Sequence, residues 1–172
     1  MMTSQTPSAP LSLSRWWAMP FSADTWRRTL YAFLALPASL AFVPLASLGS
    51  YRAVARWQRS LTRRYLSLCL DEPAARDSYG RVVVYAVLSL PLNLVALMLI
   101  GYLWLWVPAN VAYPLRPGTM DSYQHSWGGP SLAGAWALHA AVGVAALFLT
   151  PWVVQAVTRL QAWLTRRLLS SG

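Results

Sequence analysis

RWQRSLTRRYLS, residues 56–67, returns near the end of the chain as RLQAWLTRRLLS, residues 159–170, with eight of the twelve positions identical. At 100° per residue Arg52, Arg56, Arg59 and Arg63 fall within about 60° of one another, with Val54, Trp57, Leu61, Tyr65 and Leu68 on the opposite face. In the second copy Arg159 and Arg166 share one face, and Val157, Leu160, Leu164 and Leu168 the other; Arg167 follows directly. Each copy therefore predicts an amphipathic helix suited to a membrane interface, its apolar face in the acyl boundary and its Arg residues among anionic headgroups.

The rest of the chain agrees with a membrane setting. The 172 residues are 56% hydrophobic, 13% aromatic and 11% charged, too little charge for the surface of a water-soluble domain. All fourteen basic side chains are Arg, giving a net charge of +9 with five acidic residues. They border long uncharged stretches instead of covering a polar surface, which argues against a nucleic-acid partner. Cys69 is the single cysteine, so neither an internal disulfide nor a Cys-rich metal site is expected.

Residues 29–51, 82–115 and 122–158 contain no Asp, Glu, Lys or Arg. Crossing the hydrocarbon core takes about 20 apolar residues. Spans are predicted near 82–107 and 132–154, joined by a Pro/Gly/Ser-rich outer loop at 108–131 and followed by an Arg-rich helix at 155–170. Seven Arg in 52–81, and Arg159, Arg166 and Arg167 after the second span, put both flanks of this hairpin and the C-terminus in the cytoplasm.

A second repeat sets the order of the elements. YAFLALP (31–37) matches YAVLSLP (85–91), with Asp24 and Arg28 before the first and Asp77 and Arg81 before the second. An opening motif and an Arg-rich closing motif thus occur twice, in the order 24–70 and 82–172, with a linker at 71–81 and a flexible cytoplasmic segment at 1–23. Between Pro91 and Arg159 lie 67 residues; between Pro37 and Arg56 lie 18. The first hairpin is therefore shortened, and residues 29–51 either dip into the bilayer and return, helped by Pro37, Pro44, Ser47, Gly49 and Ser50, or cross once with the N-terminus outside. WRRTLYAFLALP also resembles a twin-arginine export signal, but cleavage after it would send the most Arg-rich loop outside, against the charge rule. The fold class expected is an all-α integral membrane protein of two duplicated hairpin-plus-amphipathic-helix units, the first with a shortened hairpin at 29–51 closed by an Arg-rich interfacial helix at 52–70.

DTWRRTLYAFLALP, YAVLSLPLNLVALMLIGYLWLW and LFLTPWVVQAVTRLQAWLTRRLLS resemble the sensor domain of actinobacterial sensor histidine kinases. In that family two membrane hairpins, each followed by an Arg-rich amphipathic helix, form the input module ahead of a kinase core. The resemblance covers about 24–170 and implies a bacterial cytoplasmic-membrane protein that senses or regulates through a partner. The chain ends at Gly172, where a kinase relative continues into its phosphoacceptor helix, and it has no Gly-rich nucleotide-binding segment. No phosphotransfer, no other catalysis and no cofactor is expected.

Candidate sites follow from depth and charge. Asn93 and His139 are the polar residues expected inside spans, where a bond to a neighbouring helix is the ordinary role and ligand or proton sensing the functional one. In the outer loop Arg116, Asp121, His125 and Trp127 are candidates for a ligand or partner, with Tyr113 and Tyr123 nearby; Asp121 and His125 are too few for a metal site. On the cytoplasmic side Arg52, Arg56, Arg59, Arg63, Arg159, Arg166 and Arg167 are candidates for anionic lipid or for docking a membrane or cytoplasmic signalling protein, and self-association is compatible with the same surfaces. An accessory subunit of a larger transporter or respiratory assembly is the rival reading.

Overall fold

The computed structural model describes residues 13–47, 49–67 and 78–169. Cys69, Asp77, residues 1–12 and most of the linker 71–81 lie outside the described residues. Every regular element among them is helical: α1 Leu13–Ala18, α2 Ala23–Ser47, α3 Tyr51–Leu66, α4 Tyr79–Val111, α5 Thr119–Ser122 and α6 Leu132–Leu169, with 3-10 turns at Met19–Phe21, Tyr113–Leu115 and Tyr123–His125. The all-α class read from the sequence holds.

α4 and α6, 33 and 38 residues long, are the two helices among the described residues long and apolar enough to cross a membrane. At 1.5 Å per residue they extend about 50 and 57 Å. They run antiparallel as the most extensive packed pair: Asn110 faces Gly143 at one end, and Tyr85 approaches Thr165 at the other. Gly143 allows the close approach, since a Cβ there would stand 3.0 Å from Asn110 Cβ and 3.1 Å from Val107 O.

α2 lies in the groove between them. Ala32 packs with Ile100 and Val154, Trp26 stacks on Trp104 at 4.7 Å, and Asn93 Nδ2 donates to Ala35 O at 3.1 Å. The pairing of 26 with 104 and of 35 with 93 makes α2 antiparallel to α4. The dip-and-return reading of 29–51 is thereby corrected: Pro37 and Pro44 sit inside one continuous helix. Each Pro removes one i→i−4 bond while the surrounding turns keep theirs, so the chain bends without reversing. The reversal comes at Gly49, whose φ of 78° suits a residue without Cβ.

α3 departs furthest from expectation. Val54, Ala55, Gln58, Arg59, Thr62 and Leu66 are buried at helical spacing, packed against Val82, Tyr85, Leu164 and Leu169 on one side and Tyr31, Ala35 and Ala162 on the other. It packs one face on the other helices, and that buried stripe carries Gln, Arg and Thr. The wheel separated the Arg stripe correctly from the aliphatic residues, but burial follows a third face between the two.

Three smaller points concern boundaries. The Arg-rich segment 155–170 follows directly on the second apolar span and is read as one helix with it; α6 accordingly passes through Pro151 without a break. Residues 13–21, expected to be flexible, form α1 and a 3-10 turn, and Trp16 stacks on Phe148 at 6.1 Å. The outer loop, read from its Pro, Gly and Ser content as a loop without helices, is a chain of short helical turns tied by Tyr113 Oη donating to Ser126 Oγ at 2.6 Å and Thr119 Oγ1 donating to Tyr113 O at 3.1 Å.

Candidate functional site

The loop folds back on the first turns of α6 and borders a half-open pocket of about 300 Å³. The base of the loop is a glycine contact: a Cβ on Gly134 would meet Gly128 O at 2.2 Å, so the loop can approach α6 this closely only with glycine there. Trp136 Nε1, donating to Val111 O at 2.8 Å, ties α6 to the end of α4 on the same level.

Three of the four outer-loop candidates, Arg116, His125 and Trp127, line this pocket together with His139, the intramembrane candidate. Asp121 is exposed on α5 and does not line it. Tyr113 organises the wall. His139 stacks on its ring at 3.9 Å with an interplanar angle of 21°, and the Arg116 guanidinium carbon lies 5.2 Å from the ring centroid. Arg116 Nε donates to Ala109 O at 2.7 Å, which fixes the guanidinium plane.

His139 Nδ1 is 2.8 Å from Ala135 O. A carbonyl only accepts, so this nitrogen carries the proton and Nε2 of the neutral ring is an acceptor. Among the described residues Nε2 has no hydrogen-bond partner. Asn110 lines the same pocket and donates its amide nitrogen to Trp106 O at 2.8 Å. Apolar surface comes from Trp106, Leu138 and Val142, none of them singled out by sequence. The pocket therefore offers one fixed cation, acceptors from His139 and Asn110, and aromatic walls.

The second feature is a buried polar seam where α2, α3, α4 and α6 meet. Tyr31 Oη lies 3.2 Å from Thr62 Oγ1, and Tyr85 Oη lies 3.4 Å from Thr165 Oγ1. These are matched positions in the two opening and the two closing motifs. Gln58 and Gln161 are likewise matched; Gln58 Nε2 donates to Tyr31 Oη at 3.3 Å and Gln161 Nε2 to Asn93 Oδ1 at 2.8 Å. Asn93 in turn donates to Ala35 O and Ser39 Oγ, which places this candidate as a hub between helices. Of the residues identical between copies, Gln, Thr and the last Leu are buried in both, while the paired Arg of each copy is exposed. That identity was the available signal for the seam; the charge of the segment drew attention to the Arg instead.

The Arg candidates divide. Arg56 and Arg63 line an open groove of about 500 Å³ with Arg59, Ser60 and Arg64. Arg59 is only 2% exposed and donates from Nη1 to Leu169 O at 2.7 Å, so it caps the end of α6 and is corrected from a headgroup ligand to a packing residue. Arg52 and Arg167 are exposed over the rings of Tyr51 and Trp163. Arg159 reaches Gln155 at 3.4 Å, and Arg166 is exposed. Among the described residues no three His, Cys, Asp or Glu gather to hold a metal ion.

Comparison with known proteins finds no family model, curated relative or solved structure that matches the chain.

Proposed function

We propose that the chain is a non-enzymatic integral membrane protein of the bacterial cytoplasmic membrane, a sensor-like or regulatory module built from two related units. The observation that carries the membrane reading is the inverted distribution of polarity. Gln58, Thr62, Asn93, Thr158, Gln161 and Thr165 are almost fully buried, while Val87, Val95, Met98, Leu105 and Leu149 stand exposed on the outer faces. Only 28% and 11% of the most apolar windows of α4 and α6 is buried. In water such a surface invites association; in a bilayer, lipid covers it and buried polar groups join the helices.

The Arg-rich end, α3 and the close of α6, then faces the cytoplasm, and the loop pocket faces outside. α2 runs antiparallel to α4, which favours a third crossing with its start on the loop side over a cytoplasmic N-terminus. The sensor reading draws its support from α6, one helix that carries His139 in the pocket and Gln161, Thr165, Arg166 and Arg167 at the far end. A change of occupancy at the pocket that shifts α6 alters the polar seam and the exposed Arg surface offered to a partner. Such coupling requires two states with different contacts at both ends.

Single cysteines at Ala23, Ser122 and Arg64, introduced with Cys69 replaced, test the arrangement in intact cells with an impermeant maleimide. Ala23→Cys and Ser122→Cys label from outside and Arg64→Cys only after permeabilisation. Labelling of Arg64→Cys in intact cells, or release of the chain by alkaline carbonate, overturns the arrangement. Co-purification of one partner at fixed stoichiometry under all conditions would instead favour an accessory subunit.

A further inference from the structure

We propose that the loop pocket is a receptor site for a small organic acid, a single carboxylate on a flat, apolar body that also carries a hydrogen-bond donor. The inference deepens the sensor reading by naming the class of its ligand, and rests on that reading only for its biological use.

Charge comes first. Among the described residues Arg116 is the one Arg, Lys, Asp or Glu lining the pocket, so the site repels cations and favours one negative charge. Its Nε is engaged by Ala109 O and its plane is held against Tyr113, which leaves the two terminal nitrogens as a fixed fork. A fork of this geometry matches the two oxygens of a carboxylate and costs little ordering when the ligand arrives.

Shape and the remaining polar groups narrow the class. Trp106, Trp127, Leu138 and Val142 make the lining mainly apolar and partly aromatic, which suits a planar ring system more than a sugar or a polyphosphate. A volume of about 300 Å³ accommodates one or two fused rings. His139 Nε2 is an acceptor because Nδ1 donates to backbone, and the Asn110 carboxamide oxygen, whose nitrogen donates one N–H to Trp106 O, is an acceptor lining the same pocket. A hydroxyl or N–H on the ligand satisfies one of them. The same chemistry could arrive as a free aryl acid or as the acidic headgroup of a lipid.

The probe is 6-hydroxy-2-naphthoate, titrated into the purified full-length chain in nanodiscs of zwitterionic lipid, with binding read by quenching of tryptophan fluorescence and by calorimetry. The expected result is saturable one-to-one binding, weaker for 2-naphthoate and absent for 2-naphthylmethylammonium. Arg116→Gln weakens it at least about ten-fold, the loss expected of one charge-assisted pair. Arg116→Lys, which keeps the charge without the fork, lies between, and Arg81→Gln at the opposite end leaves binding unchanged. Circular dichroism and thermal unfolding show whether the Arg116 variants keep their helices; if Arg116→Gln does not, the contrast between the acid and the ammonium probe on the unaltered chain decides. Nanodiscs containing phosphatidylglycerol that displace the probe identify a lipid source, and no displacement identifies a soluble one. Equal binding of the acid and the ammonium, or no saturable binding, overturns the proposal. Neither result touches the topology test, so the two readings fail separately.

Discussion

Gln58 and Gln161, matched in the two copies of the repeated segment, are both buried with the carboxamide nitrogen donating and the carboxamide oxygen without a partner among the described residues. An orphaned buried acceptor costs about 1–3 kcal/mol. That the same atom is left over at both matched positions ties the cost to the geometry the copies share, in which the segment must present a donor to the helix opposite it.

The seam should therefore tolerate loss of a Gln better than loss of its acceptor. Gln58→Met removes one hydrogen bond but also one orphaned oxygen, so stability should change by less than about 1 kcal/mol. Tyr31→Phe strands the Gln58 nitrogen and loosens Thr62, and should cost about 1–2 kcal/mol. Reversible unfolding of both variants in mixed micelles orders the two effects; a Gln58→Met loss exceeding that of Tyr31→Phe would falsify the assignment of the Gln oxygen as unpartnered.

Asn93 is expected to be the most sensitive single position of the seam. It joins α4 to α2 through Ala35 O and Ser39 and to α6 through Gln161. At about 0.6 kcal/mol for each hydrogen bond between helices in a membrane, Asn93→Ala should cost about 2 kcal/mol. Ser39→Ala removes one of these contacts and should cost about a third as much. The same unfolding assay compares them, and equal losses would mean that Asn93 is not a hub.

What the sequence made legible followed periodicity and charge. The α4 and α6 helices, the position of the outer loop and the grouping of Arg116, His125 and Trp127 could be read because uncharged length and Pro/Gly punctuation are local signals. Convergence of those loop residues with His139 could not, since it depends on how far α6 extends past the end of α4. The α3 helix was misread for a different reason. A wheel sorts residues by polarity, and inside a bundle the buried face is selected by what it meets, so Gln58, Arg59 and Thr62 outrank Trp57, which is 45% exposed. The hint available was that Tyr, Gln and Thr recur at matched positions in each copy; that they bond to one another is seen only once the helices are packed.

Arg59 and Arg56, one turn apart on α3, should behave differently despite their shared charge. Arg59 supplies a donor to Leu169 O in the last turn of α6, where backbone carbonyls lack helical partners. Arg59→Met should raise hydrogen exchange of the amides at 165–169 and lower stability by about 1–3 kcal/mol. Arg56→Met, on the exposed face, should leave both within error and alter only binding to anionic vesicles. Matching exchange profiles for the two variants would place Arg59 outside the cap.

Two glycines should separate pocket integrity from helix packing. Gly143 sits where α4 and α6 touch, and Gly143→Ala forces a methyl group against Asn110 Cβ at 3.0 Å and Val111 Cγ2 at 3.2 Å. Overpacking of this kind costs about 1–3 kcal/mol and acts on the whole helix pair. Gly134→Ala instead drives a Cβ to within 2.2 Å of Gly128 O, where backbone must move. The loop base then lifts from α6 while α4 and α6 keep their other contacts, since Asn93–Gln161 and Tyr85–Thr165 lie far along the helices. Gly143→Ala should thus lower the unfolding midpoint and, by displacing Asn110, weaken without abolishing the quenching of Trp127 by the pocket probe. Gly134→Ala should abolish that quenching with a smaller shift of the midpoint, and the reverse pattern would show that the loop, more than the glycine crossing, holds α4 to α6.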